Sequence, residues 1–254
     1  MCELLGLSFN REVHCSLSFR GFRHGGDNKP HGWGVARFSG NACQVFKEPI
    51  NANHSRLAEF LRDYEQFASK IFIGHVRYRS VGEPSLENTH PFVRVFRRRE
   101  VALAHNGTLM GDLPRNELRF RPVGDTDSEW LLCALLTELS AERIAFTDFP
   151  RIEVLLSRFN GQGRMNLLFS EGEHLYAYRD GSGYRNGLCM VQRAAPFDGV
   201  SLQDEDWHID LASEKDPSER GVVIATRPLT DEPWTDLRSG ALYVFRDGEL
   251  VYGA

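Results

Sequence analysis

The chain has little that would commit it to a membrane, a disulfide framework or a nucleic acid. No apolar stretch approaches the roughly 18 residues of a membrane helix, and Glu3 and Asn10 stand where a signal peptide needs basic and apolar regions. A cytoplasmic protein is expected. The five cysteines, at 2, 15, 43, 133 and 189, are odd in number, widely spaced and without a CxxC pair, which points to neither a disulfide framework nor a zinc site. A formal net charge of −5 gives no global attraction to nucleic acid or an anionic membrane. The one basic run, Arg97 to Arg99, reads as a solvated turn. No linker, repeat or low-complexity segment divides the 254 residues, so one domain spanning 1–254 is expected.

What is present alternates short apolar strands with turn chemistry. CELLGLSF, WGVARF and CQVFK read as strands around a glycine-rich GFRHGGDNKPHGWG, and IFIGHVRY reads as another. From Ser55 to Ala68, Leu57, Phe60, Leu61, Tyr64 and Phe67 recur at helical spacing. RSVGEPSLENTHP is a long polar loop, and long loops inside compact domains are often functional. REVALAHNGTL reads as a buried strand ending in an Asn106-Gly107 turn, and TDSE as a capping box ahead of the helix WLLCALLTEL. A second helix around Pro150–Phe159 precedes RMNLLFS, HLYAYRD, LCMVQRA, WHIDL, GVVIAT and ALYVFRDGELVYG, the last with a two-residue Asp247-Gly248 hairpin signal. SEKDPSERG, at 213–221, reads as a polar, mobile loop. An α+β fold of packed antiparallel sheets with helices outside is the simplest architecture.

Cys2 has two readings. It is a small hydrophobe at the head of a core strand, or a nucleophile that becomes the first residue once Met1 is removed. In the second case its α-amine, with a reference pKa of about 7.7 to 8.0, can take the thiol proton near neutrality, where a lysine amine mostly cannot. Asn106 and Gly107 could supply a side-chain NH2 and a backbone N–H to a developing oxyanion, or simply turn a hairpin. Arg77 in GHVRYRS suits a carboxylate and Asp127 in GDTDSE an ammonium, a pair that would clamp a free α-amino acid. Their bland alternatives are a surface ion pair and a helix cap. His105, His90 and Trp33 read as structural.

Read together and in order, Cys2, GHVRYRS, GEPSLENTHP, HNG and TDSE resemble the glutaminase domain of class II glutamine amidotransferases, which are N-terminal nucleophile hydrolases. MCELLG, GWG, LENTHPF, AHNG, FRPVGDTDSE and IATRPLT resemble the bacterial stand-alone YafJ-type family along nearly the whole chain. The resemblance implies a four-layer αββα sandwich of two antiparallel sheets between helices. It makes Cys2 the nucleophile with its α-amine as base, Asn106 and Gly107 the oxyanion hole, Arg77 the α-carboxylate ligand with Ser80 assisting, and Asp127 the α-amine ligand. It implies no metal or organic cofactor. Glucosamine-synthase-type members read HTRWATHG where this chain has HVRYRSVG, so Tyr78 and Val81 depart from the loop that closes over glutamine.

The expected activity is release of ammonia from the side-chain amide of glutamine through a Cys2 thioester. The ammonia would pass to a separate synthase or simply be released. A hydrolase of γ-glutamyl amides in a small peptide or thiol metabolite would use the same residues in a wider pocket. A non-catalytic glutamine-binding regulatory subunit would keep the clamp and lose the chemistry.

Overall fold

The computed structural model describes residues 2–15, 18, 22, 31–77, 83–111, 118–183, 187–203 and 208–253. Short apolar runs, most of them buried on both faces, build two large antiparallel sheets. The first has seven strands in the order β13-β9-β12-β1-β4-β2-β3, from β1 (Glu3–His14), β2 (Trp33–Ser39), β3 (Ala42–Glu48), β4 (Ala68–Val76), β9 (Cys189–Ala194), β12 (Arg220–Ala225) and β13 (Thr235–Asp236). The second has six in the order β15-β14-β8-β7-β6-β5, from β5 (Phe92–Phe96), β6 (Arg99–Leu109), β7 (Gly163–Ser170), β8 (Leu175–Tyr178), β14 (Leu242–Arg246) and β15 (Glu249–Tyr252). A small hairpin, β10 (Gly199–Ser201) with β11 (His208–Asp210), stands apart.

Successive strand residues face opposite ways, and this sorts the core into layers. Leu4, Ile71, Ile73, Ala102, Ala104, Leu168, Val222 and Ile224 fill the space between the sheets. Leu5, Leu7, Phe72, Val76 and Val223 face the other way, toward helix α1 (Arg56–Asp63). Val101, Leu103, Met165 and Leu167 pack against helices α2 (Asp127–Ala141) and α3 (Phe149–Asn160). The expected order of helix, sheet, sheet and helix is observed, with a short α4 (Leu211–Glu214) after the small hairpin.

Four local expectations are corrected. Asn106-Gly107 is no turn: β6 runs through both, with Asn106 opposite Asn166 and Gly107 opposite Met165 of β7. Helix α1 stops at Asp63 because Tyr64 is extended, so Phe67 reaches the core through a turn while Phe60 and Tyr64 stack on the exposed side, ring centroids 4.9 Å apart. Arg97 stands in the expected exposed turn, between β5 and β6, but is not merely solvated, since its guanidinium donates to the carbonyls of Ile144 (2.7 Å) and Leu139 (2.9 Å) at the end of α2. The 213–221 segment is anchored to β1: Arg11 pairs with Asp216 at 2.8 Å, and Asn10 donates to the Ser218 carbonyl at 2.8 Å. At the far end of the chain, Asp247 and Gly248, with φ of 49° and 76°, make the expected tight turn between β14 and β15.

Candidate active site

The site residues come from strand ends of one sheet and a strand edge of the other. Glu3 pairs with Val76 of β4, so one further step along that ladder sets Cys2 beside Arg77. On its other flank β1 is held by the end of β12. The Leu4 N–H donates to Thr226 Oγ1 and the Thr226 N–H to the Leu4 carbonyl, both at 3.3 Å, while the Thr226 hydroxyl donates to the Glu3 carboxylate. Arg227 Nε lies 4.0 Å from the other Glu3 oxygen. The backbone behind Cys2 is therefore gripped from two strands.

Strand alternation decides where each residue of AHNG points. Ala102 and Ala104 face the first sheet, and Asn106, next in that series, does the same. Its Nδ2 donates to the Cys2 carbonyl at 2.9 Å, joining residues 104 positions apart. Gly107 is required by a close approach: a Cβ there would lie 1.9 Å from the Arg164 carbonyl oxygen and 2.5 Å from His105 Nε2.

The ladder also fixes the direction of the Gly107 N–H. The Met110 N–H donates to the Gln162 carbonyl at 2.9 Å, so even-numbered residues of β6 bond across to β7 and odd-numbered ones turn their N–H groups away from it. The Leu109 N–H obeys this rule and donates to Asp127 Oδ2 at 2.8 Å. The Gly107 N–H points to that same side, about 7 Å back along the strand by the usual rise, beyond the last β5 partner, Phe92 opposite Leu103.

Asp127 is buried at the start of α2, where Thr126 caps the helix by accepting from the Glu129 N–H at 3.2 Å. The expected capping box is only half made. Glu129, itself buried, turns instead to the preceding loop, accepting from the Val123 and Gly124 N–H groups (3.0 and 2.7 Å) and pairing with Arg94, and this fixes the loop that leads into Asp127. Beside Asp127, the Ser128 hydroxyl lies 2.9 Å from His105 Nδ1 and 3.5 Å from Asp127 Oδ1, and His105 Nε2 lies 3.1 Å from the Arg164 carbonyl.

Arg77 is buried, its N–H donating to the Gly32 carbonyl at 2.7 Å and its Nη1 to the Glu83 carbonyl at 3.2 Å. Asn88 donates to that same Glu83 carbonyl at 3.2 Å and accepts from the Asp125 N–H at 3.1 Å. It thereby ties the loop that holds Arg77 to the loop that holds Asp127, a role sequence reasoning missed. Gly124 permits the tie, since a Cβ there would meet Asn88 Oδ1 at 2.3 Å. Behind Arg77, the His75 and His90 rings stack at 3.9 Å between centroids. Burial, with the nearby His75, His105, Arg77 and Lys47, holds His90 well below the usual histidine range.

Ser80, Tyr78, Val81 and Met1 lie outside the described residues. Of the other cysteines, Cys15, Cys43 and Cys189 are pushed up to about 12, mainly by burial, and Cys133 is wholly buried in α2, so each is a poor nucleophile. Among the described residues, Glu171, Glu173 and His174 are the group close enough to share a metal ion. They stand at the opposite end of β7, and Glu173 is already engaged by Arg99 (3.0 Å) and Arg246 (3.1 Å).

Two antiparallel sheets between helices, with a cysteine leading an interior strand, define the N-terminal nucleophile fold. The glutamine phosphoribosylpyrophosphate amidotransferase of Bacillus subtilis shares it, with a TM-score of 0.65 at 18% identity over 98% of this chain and 48% of that one. The family model for class-II glutamine amidotransferases matches residues 1–254, and the chain belongs to that family. YafJ of Escherichia coli K12, a glutamine amidotransferase by designation, is 37% identical over 99% of this chain and 100% of its own length. An uncharacterized protein of Methanocaldococcus jannaschii is 42% identical over 99% of this chain and 71% of its own. The crystal structure of a predicted glutamine amidotransferase from Pseudomonas aeruginosa matches with a TM-score of 0.73 at 33% identity, covering 99% and 100% of the two chains. No helix among the described residues is long and apolar enough to cross a membrane.

Proposed function

We propose that the chain hydrolyses the side-chain amide of glutamine through a thioester on Cys2. With Met1 removed, the Cys2 α-amine takes the thiol proton and the sulfur attacks the amide carbonyl. The oxyanion is stabilised by the Asn106 side chain and the Gly107 N–H. The C–N bond breaks as the α-ammonium returns its proton to the leaving nitrogen, and ammonia departs. Water then cleaves the thioester to give glutamate and the free thiol. Arg77 grips the α-carboxylate and Asp127 the α-ammonium.

The observation that carries this reading is the shared direction of two N–H groups on the β6 edge. By the alternation of the ladder one, on Gly107, is turned away from β7 and is free in this reading to meet the oxyanion, and the other, on Leu109, donates to Asp127 about 7 Å away by strand rise. Glutamine spans roughly 6 Å from amide oxygen to ammonium, five bonds of about 1.2 to 1.5 Å each. The spacing therefore favours a free amino acid whose amide and ammonium both reach that edge. Further support comes from Asn106 meeting Cys2 across the two sheets.

Cys2→Ala tests the chemistry. Ammonia release from glutamine should fall to background, and glutamine binding by calorimetry should persist; wild-type turnover in the variant would sink the mechanism. A panel of γ-glutamyl amides run beside glutamine separates a glutaminase from a hydrolase of larger amides.

A further inference from the structure

Asn88 is buried between the loop that follows Arg77 and the loop that leads into Asp127, and both ends of its amide are engaged. The Asp125 N–H can only donate and the Glu83 carbonyl can only accept, so the amide has one orientation, Oδ1 toward Asp125 and Nδ2 toward Glu83. The Glu83 carbonyl is shared, because Arg77 Nη1 donates to it as well at 3.2 Å. One carbonyl oxygen therefore seats both the guanidinium and the amide. At the other end, Asp125 stands two residues ahead of Asp127, so the bond to Oδ1 sets where that carboxylate enters the site.

The joint is braced on both sides. The turn that carries Asn88 is closed by the Thr89 N–H on the Leu86 carbonyl (3.3 Å) and by the Thr89 hydroxyl on the Ser85 carbonyl (2.7 Å), and Lys47 of β3 donates to the Thr89 carbonyl at 2.7 Å. Three successive N–H groups ahead of α2 meet side-chain acceptors: Val123 and Gly124 on Glu129 of their own helix, and Asp125 on Asn88. Only the third of these bonds comes from the Arg77 side.

We infer that Asn88 is a positioning residue that sets the spacing of Arg77 and Asp127 to suit one class of ligand, an α-amino acid with both charges on a single carbon. This rests on the reading of Arg77 and Asp127 as the ligands of the α-carboxylate and the α-ammonium. In that reading Asn88 touches no substrate and acts through the Glu83 carbonyl on one arm and the Asp125 N–H on the other. The carboxylate carbon and the nitrogen of an α-amino acid are two bonds apart, so the groups that receive them must keep a narrow spacing. Because the two arms hang on opposite ends of one amide, a substitution can loosen one arm and leave the other.

The test measures ammonia release from glutamine, from glutaramic acid, which lacks the amine, and from γ-aminobutyramide, which lacks the carboxylate. The kcat/KM ratios of glutamine over each analogue read the ammonium arm and the carboxylate arm in turn. Asn88→Asp keeps an acceptor for the Asp125 N–H and sets an oxygen against the Glu83 carbonyl where the donor was. Assays at about pH 8 keep the new carboxyl ionised beside Arg77. The preference over γ-aminobutyramide should fall about three- to tenfold, the worth of roughly one hydrogen bond, and the preference over glutaramic acid should stay within about twofold. Gly124→Ala would bring a Cβ within 2.3 Å of Asn88 Oδ1 and expel the amide from its seat, so both preferences should fall together. Circular dichroism with a thermal melt checks folding, and where one variant fails to fold the other decides. Equal losses on all three substrates in either folded variant, with both ratios unchanged, would overturn the inference, as would an Asn88→Asp protein whose two ratios fall alike. Arg77→Ala and Asp127→Asn test the parent reading: if neither lowers its own ratio, the clamp itself fails. If each does so while the Asn88 and Gly124 variants keep both ratios, the clamp stands and the positioning role alone is refuted.

Discussion

Replacing Gly107 by alanine perturbs the site at a point where the geometry leaves no compromise. The new Cβ would stand 1.9 Å from the Arg164 carbonyl oxygen, and real side chains essentially never come within 3.0 Å of such an atom, so β6 and β7 must part by at least 1.1 Å. Backbone φ is not the obstacle, since Gly107 lies outside the positive-φ glycines. The ladder rungs on either side, Asn106 with Asn166 and Thr108 with Arg164, lie in the path of that movement, as does the His105 bond to the Arg164 carbonyl. At about 1 kcal/mol net per bond, their loss costs about 3–5 kcal/mol. The displaced strand also carries both proposed oxyanion donors, and misplacing catalytic groups by about 1 Å costs on the order of 10²-fold in rate. Urea denaturation and ammonia release from glutamine read the two effects separately. A variant within about 1 kcal/mol of wild type with kcat within tenfold would refute the steric argument and the donor assignment together. Unchanged stability with lost turnover would refute only the first.

Two further perturbations test the surroundings. His90 is held neutral in the fold by burial, so below about pH 6.5 the unfolded chain binds a proton that the folded chain does not, and stability falls as pH drops through that range. His90→Phe keeps a ring against His75 and Phe92 and removes the proton, so between pH 7 and 5.5 it should lose about 1 kcal/mol less than wild type by urea midpoints; equal acid sensitivity would count against the assignment. Arg97→Ala removes two donors from the end of α2 and should cost about 2 kcal/mol while leaving kcat unchanged. An unaltered urea midpoint would return Arg97 to the status of a solvated turn residue.

The strands were legible because short apolar runs bounded by turn residues are a local property. RMNLLFS and GVVIA are short apolar runs of strand length, LYVFRDGELVY brackets a two-residue turn, and each appears in the fold close to where the pattern puts it. Asn106-Gly107 misled for the same local reason. The pair has the composition of a hairpin turn, and only the approach of the Arg164 carbonyl, 57 residues later, explains why glycine is needed inside a strand. Glu129 matched a capping box, and the choice between the helix end and the loop at Val123 and Gly124 was made by Arg94, which no helical spacing reveals. The candidate residues themselves could be named from their motifs. Their connections could not, because Asn88 and Ser128 act through partners on other segments.

The site joins the two sheets at one corner, so the packing between them bears on catalysis more than the helical layers do. Small residues lie between the sheets near that corner, Ala102 and Ala104 on β6 and Gly6 on β1, and a Cβ at Gly6 would already press on Leu168 of β7 and Leu175 of β8 at 3.1 and 3.2 Å. Packed sheets commonly stand about 10 Å apart, too far for the short Asn106 side chain to reach another sheet's backbone. The bond from Asn106 to Cys2 at 2.9 Å therefore depends on the closeness that these small residues allow. Enlarging any of them wedges the nucleophile away from its donor, whereas an equal insult between β6 and α2 would spare that bond and strike the His105 to Ser128 contact. The Asn106 side chain on one face of β6 would serve amide cleavage and Asp127 on the other recognition of the ammonium, with the Gly107 and Leu109 N–H groups on their shared edge joining the two.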